Sequence, residues 1–352
     1  MEKCKDFLRR KNIEISLHRY FIDAMGAMAQ GLFASLLIGT IIKTFGEQTH
    51  LALLVEIGKY AQSMSGPAMA CAIGYALKAP PLVLFSLVTV GQTANGLGGT
   101  GGPLAVLLIA IVAAECGKAI SKETKVDILA TPLVTILCGV GLSYLIAAPI
   151  GAAADSVGTL IRWATEQAPF LMGIVISVVM GMALTLPISS AAICHALSLT
   201  GLAGGAAVAG CCAQMVGFAA MSYKENGVGG LMSQGLGTSM LQMGNIVKNP
   251  RIWIAPTLAA AVTGPLATCV FHLEMNGAAI ASGMGTCGLV GQIGVYTGWL
   301  NDIAAGTKAA ITPMDWVGLA LICVVLPAVL SIIFGNIERK MGWIKENDLT
   351  LN

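Results

Sequence analysis

The sequence predicts an all-α fold: a polytopic integral membrane protein of about ten transmembrane helices, some of them broken or re-entrant hairpins. Three observations carry that reading. Of 352 residues, 56% are hydrophobic and only 11% charged, whereas soluble domains carry charge on about a quarter of theirs. Mean hydropathy is +0.79, so too little charge is present to clothe a water-facing surface. Aromatics are scarce at 6% while glycine occurs 43 times, a balance suited to helices that approach closely in lipid. The net charge of +2 and the short basic clusters between apolar runs argue against a nucleic-acid partner. Those clusters report topology instead.

Residues 1–20, MEKCKDFLRRKNIEISLHRY, are charged, and the apolar run after them has no small-residue cleavage pattern. They read as a retained cytoplasmic amphipathic segment, not a signal peptide. A span needs about 20 mostly apolar residues. Segments 21–42, 129–151, 170–193, 252–271 and 316–337 meet that length nearly free of charge. Segments 62–77, 82–94, 103–114, 195–223, 227–247 and 276–300 are short or interrupted by glycine and polar residues, the pattern of half-helices or re-entrant hairpins. Residues 21–338 thus form the membrane domain and 339–352 a cytoplasmic tail. Within the membrane domain, 152–167 sets Asp155, Arg162 and Glu166 against Val157, Leu160, Ile161 and Trp163 at helical spacing, the pattern of an interfacial linker between two halves.

By the positive-inside rule, Lys3, Lys5, Arg9, Arg10, Lys11 and Arg19 place the N-terminus in the cytoplasm. Lys118, Lys122 and Lys125 do so for the loop after Ala114, and Arg339, Lys340 and Lys345 for the tail. The number of crossings is then even. Lys248 and Arg251 also belong inside, which requires either 227–247 or 276–300 to enter and leave on one side.

Most of the ten cysteines lie in apolar segments, where cysteine acts as a small hydrophobe. There is no C-x-x-C pair, and the four histidines lack ligand spacing, so neither a disulfide framework nor a metal or other cofactor is expected. No G-x-x-x-x-G-K-[ST] loop occurs, the nearest string being CGKAI from Cys116, which disfavours ATP-driven transport.

Three glycine clusters interrupt apolar stretches: GLGGTGG from Gly96, GLGTSM from Gly235 and GMGTCG from Gly283. Two match G-x-G-x-x-G, but a dinucleotide fingerprint needs a βαβ frame that a membrane helix cannot offer. Either they permit tight helix crossing or they break helices where a solute binds. Their polar neighbours favour the second reading. Gln92 and Asn95 precede the first; Thr238, Ser239, Gln242 and Asn245 lie in or after the second; Thr286 sits in the third and Gln292 follows it. On one helix Gln234, Thr238 and Gln242 would form a stripe at i, i+4 and i+8. Glu274 and Asn276 in FHLEMNG suggest hydroxyl recognition or proton coupling, or else, with His272, residues at headgroup level. His195 follows LTLPISSAAIC and is either a site residue or a satisfied buried histidine. A mostly uncharged lining suits a sugar or polyol.

The strings LPISSAAI, AGCCAQMVGFA, GLMSQGLGTSMLQMGNIVKNPRIWIAPTLAAAVTGPLAT and GMGTCGLVGQIG resemble the EIIC-type membrane proteins of the bacterial phosphotransferase system, in the branch that includes perfringolysin O regulator-like proteins. The resemblance implies a bacterial inner-membrane homodimer that binds a carbohydrate-like solute in a cavity built partly from re-entrant hairpins. It also implies EIIA and EIIB partners for any sugar phosphorylation, since no catalytic chemistry is legible in the chain. The G-I-T-E tetrapeptide of glucose-type relatives is absent, with Glu274 the candidate substitute. A sugar permease is the leading expectation, with a membrane sensor or an uncoupled or proton-coupled carrier as alternatives.

Overall fold

A computed structural model describes residues 2–16 and 18–351. Among them the protein is helical, apart from a single antiparallel bridge between Gly201 and Met275. Six helical stretches are long and apolar enough to cross a membrane: Ala24–Gln48, Pro81–Ile120, Asp127–Thr165, Gly201–Met221, Pro250–Val270 and Pro313–Lys340. Stretches are not crossings, since Pro81–Ile120 holds two helical arms and Pro169–Thr185 is a further apolar helix of shorter length. The chain divides into two compact units, 1–154 and 155–352.

In the first unit, α1 (Glu2–Arg10) precedes α2 (Ala24–Gln48), α3 (Ala52–Ser63) and α4 (Ser65–Ala76). The stretch 81–120 is two arms, α5 (Pro81–Gly98) and α6 (Gly102–Ile120), each opened by a proline in its first turn, where the missing N–H is harmless. They run antiparallel: Gly117, near the end of α6, approaches Val83, at the start of α5, while Gly98 meets Ala105 beside the turn. Gly99, at φ +51°, supplies the left-handed residue that reverses the chain. The first glycine cluster is therefore a hairpin tip.

Next comes α7 (Asp127–Thr165), a 39-residue helix with Pro132 and Pro149 inside. The stretch 152–167 continues this helix to Thr165, and the division between the two compact units falls within it.

The second unit is organised on α10 (Gly201–Met221), an almost wholly buried helix against which α8 (Pro169–Thr185), α13 (Pro250–Val270) and α15 (Pro313–Lys340) pack. Small residues make this possible. A Cβ on Gly210 would fall 1.8 Å from the Ser177 carbonyl oxygen, and one on Gly205 only 1.6 Å from that of Leu273, so a side chain forces α10 away from α8 at the first and from the irregular chain after α13 at the second. The remaining helices are α9 (Ser190–Ala196), α11 (Tyr223–Met232), α12 (Met243–Lys248) and α14 (Val290–Ala304). α15 opens on a capping box, with Thr312 accepting from Asp315 N at 3.3 Å and Asp315 accepting from Thr312 N at 2.7 Å.

Candidate functional site

The second and third glycine clusters are where regular helix fails in the second unit. Gln234, Thr238 and Gln242 do not share one helix: Ser233–Gly237 is a wide π-turn, Thr238 is extended at φ −160°, and Ser239–Gln242 is a 3₁₀ turn. Gly235 and Gly237 weaken the helix, and the extended Thr238 uses its hydroxyl to accept from Met240 N at 3.2 Å. The third cluster is irregular too, with Gly285, Gly288 and Leu289 all left-handed. Residues 281–287 are nonetheless buried. Segment Ser233–Gly237 packs on Cys287–Leu289, and both regions lie against α10. Irregular backbone in a membrane protein is tolerated where protein covers it or a cavity solvates it.

Beside these breaks runs a chain of neutral polar groups. Thr185 and Ser239 share a hydroxyl–hydroxyl bond of 2.8 Å, and Thr185 also donates to Gln214 Oε1 at 3.3 Å. Gln214 donates to Thr257 Oγ1 at 3.1 Å and accepts from Trp253 Nε1 at 2.9 Å. Thr185, Gln214 and Ser239 are fully buried. A neighbouring cavity of about 240 Å³ has Met182, Trp253, Thr257 and Leu258 in its wall. The sequence reading passed over Gln214, Trp253 and Thr257; the available signal was Gln214 itself, the sole amide in the apolar run of α10.

The other amides picked out from sequence are engaged elsewhere. Gln234 donates to Ser222 Oγ at 2.9 Å, Gln242 to Gln234 Oε1 at 2.9 Å, and Asn245 to Gln242 Oε1 at 2.8 Å. The ladder ends on the C-terminal tail: Gln242 and Asn226 donate to the Leu349 carbonyl, and Asn245 to that of Thr350. Asn226 Oδ1 accepts from Leu351 N at 2.8 Å, and Asn249 donates to the Trp343 carbonyl. These side chains hold the tail.

Thr286 lies against Met215 Sδ at 3.6 Å, and the Gln292 amide lies against Cys212 Sγ and the carbonyls of Gly285 and Leu289. Both therefore border α10. Glu274 is exposed and accepts from Asn276 at 3.1 Å. Asn276 also donates to both carboxylate oxygens of Asp302, at 3.1 and 3.0 Å, and accepts from Gly201 N. His195 is exposed on α9 and joins none of these networks. In the first unit, Gln92 is exposed, and Asn95 reaches Ser65 Oγ at 3.4 Å.

One buried carboxylate stands apart. Glu338 continues the inward stripe Pro327, Ser331 and Gly335 of α15, is 4% exposed, and neither carboxylate oxygen has a hydrogen-bond partner among the described residues. It lies one residue past the 316–337 run that hydropathy marks as a span, and the sequence reading did not single it out.

A family model described as phosphotransferase system, EIIC, matches residues 22–351. No curated protein and no solved structure gives a match. With nearly the whole chain matched, and with the apolar helices such a membrane component needs, the chain belongs to the EIIC family of the phosphotransferase system, the multi-pass membrane part of sugar permeases.

Proposed function

We propose that the chain binds a sugar or related neutral polyol in its second unit, where segments 233–242 and 278–289 lie on α10, and carries it across the bacterial inner membrane. The observation that carries this reading is the buried chain Thr185, Ser239, Gln214, Thr257 and Trp253. It offers hydroxyl and amide groups that can exchange internal partners for solute hydroxyls. Neither broken segment contains a charged residue, which fits a neutral solute better than an ion. Of the residues singled out from sequence, Thr238, Ser239, Thr286 and Gln292 belong to this region, and Glu274 with Asn276 forms the second candidate.

Transport then requires only that the two access states bind the solute with different affinity. An EIIB partner supplies the phosphate, and this chain presents the solute to it. Cytoplasmic termini and a homodimer complete the proposal.

The test is thermal unfolding of the detergent-purified chain against hexoses, pentitols, ascorbate-like acids and neutral amino acids. A ligand at a hundred times its Kd stabilises by about 2.7 kcal/mol. The expected result is a carbohydrate response lost in Ser239→Ala and Gln214→Leu but kept in Glu274→Gln. A response lost only in Glu274→Gln moves the site to the Glu274, Asn276 and Asp302 cluster. A folded sample that responds to no carbohydrate rejects sugar recognition.

A further inference from the structure

The first unit carries a cavity that the sugar reading does not use. It measures about 380 Å³, and its wall contains Arg10, Lys11, Lys78, Lys118 and Lys122 with one carboxylate, Glu123. Four sequence-distant pieces build it: the end of α1, the turn between α4 and α5, the end of α6, and the loop before α7.

The cations are not equally engaged. Lys118 is 1% exposed; its ammonium lies 2.9 Å from Glu115 and donates to the carbonyls of Asn12 and Leu77, at 2.7 and 3.0 Å. It is a structural charge. Arg10 and Lys11 both pair with Glu123, and Lys11 also donates to the Ser121 carbonyl. Lys78 and Lys122 are left over: among the described residues neither ammonium has an ion-pair or hydrogen-bond partner. The nearby Asp127 accepts from Lys122 N and the Thr131 hydroxyl, each at 2.6 Å. Besides Lys118, four cations therefore line a cavity whose wall holds a single carboxylate, and only two of them pair with it.

Both free lysines are left-handed, Lys78 at φ +55° and Lys122 at φ +60°. Non-glycine residues rarely adopt that backbone, and it persists where the surrounding structure enforces it.

We infer that this cavity binds a phosphate-bearing anion, through Lys78 and Lys122 with help from Arg10. A group with two or more acceptor oxygens can accept from both exposed ammonium groups at once, and charge-assisted bonds of this kind are the strong ones. Two sources share the chemistry. A membrane phospholipid headgroup is one, since basic pockets at the cytoplasmic ends of membrane helices suit anionic lipids. A soluble phosphoester is the other. The inference does not depend on where the sugar binds.

The experiment uses the full chain in neutral detergent, with Lys78→Gln/Lys122→Gln and Lys78→Arg/Lys122→Arg as variants. The lipid arm titrates cardiolipin against zwitterionic phosphatidylcholine. The soluble arm titrates inorganic phosphate and glucose 6-phosphate against sodium chloride at matched ionic strength. The expected result is a saturable rise in Tm in at least one arm, absent from its control, weakened about tenfold or more in the glutamine variant and retained in the arginine variant. A response confined to lipid assigns the pocket to a headgroup, and one confined to the soluble arm assigns it to a phosphoester. No saturable rise in either arm overturns the inference, as does a rise that the glutamine variant keeps in full. If the glutamine variant does not fold, titration of the native chain at rising sodium chloride decides: an apparent affinity independent of salt overturns it.

Discussion

The two ends of the chain are each lashed to their own unit, by opposite chemistry. The N-terminal segment is held by charge: Arg19 donates to the Leu77 carbonyl at 2.7 Å, Lys118 to the carbonyls of Asn12 and Leu77, and Glu123 clasps Arg10 and Lys11. The C-terminal tail is held mainly by neutral amides, with Ile344 and Leu349 buried beneath it. A bond between charges weakens with salt and titrates with pH, whereas an amide–carbonyl bond does neither to the same degree. The contrast extends to buried carboxylates. Glu115 has Lys118 for a counterion, and Glu338 has none among the described residues.

Removing a partner from the charged lashing has the largest expected effect. Lys118→Met leaves Glu115 without its counterion and strands the Asn12 carbonyl, while that of Leu77 keeps Arg19; it destabilises the fold by about 3–5 kcal/mol, seen as a lower Tm and faster trypsin cleavage after Arg10. Gln242→Leu, in the neutral lashing, deprives Gln234, Asn245 and Leu349 of partners at once. Its expected cost is about 2–3 kcal/mol, with new protease sensitivity confined to the tail. The reverse sign is expected at the carboxylate without a counterion: Glu338→Met removes a buried polar group with no bond to lose and raises stability by roughly 1–3 kcal/mol. A decrease would show that Glu338 has a partner under working conditions, such as a solute or a cation.

The smallest effect is the most discriminating. Lys11, hydrogen-bonded to Glu123, and then Arg10 hold the Glu123 carboxyl below its ordinary value. A depressed carboxylate contributes stability that is full above its unfolded value and is lost as pH falls through the folded one. Limited proteolysis should therefore release the N-terminal segment first as pH drops below the ordinary carboxylate range, and also at 1 M salt, where the screening length is about 3 Å. The Asn226, Gln242 and Asn245 contacts to the tail should hold under both conditions. Simultaneous release of both ends would refute the distinction.

Hydropathy made the helical membrane class legible; the prolines at 81, 103, 169 and 313, which stand in the first turns of four helices, were a further signal left unused. The glycine clusters were legible as irregularities, but not as different ones. GLGGTGG turns a hairpin, while GLGTSM and GMGTCG make buried broken backbone on α10. Composition could not separate them, because a turn and a break ask the same residues for the same φ angles. The amides around Gln242 looked like a solute site because they are numerous and uncharged. Their partners lie about a hundred residues later, in carbonyls that carry no side-chain signal. Gln214 was hidden by the opposite circumstance, a single amide in an apolar helix whose partners come from two other stretches of chain, α8 and α13.

Asn226, Gln242 and Asn245 grip the tail by its main chain, at Leu349, Thr350 and Leu351. A peptide held in this way is recognised for its path and not its spelling, so natural variation should be lopsided. Across relatives the three amides should be kept together, while the residues they hold drift freely, subject only to an apolar side chain where Leu349 is buried.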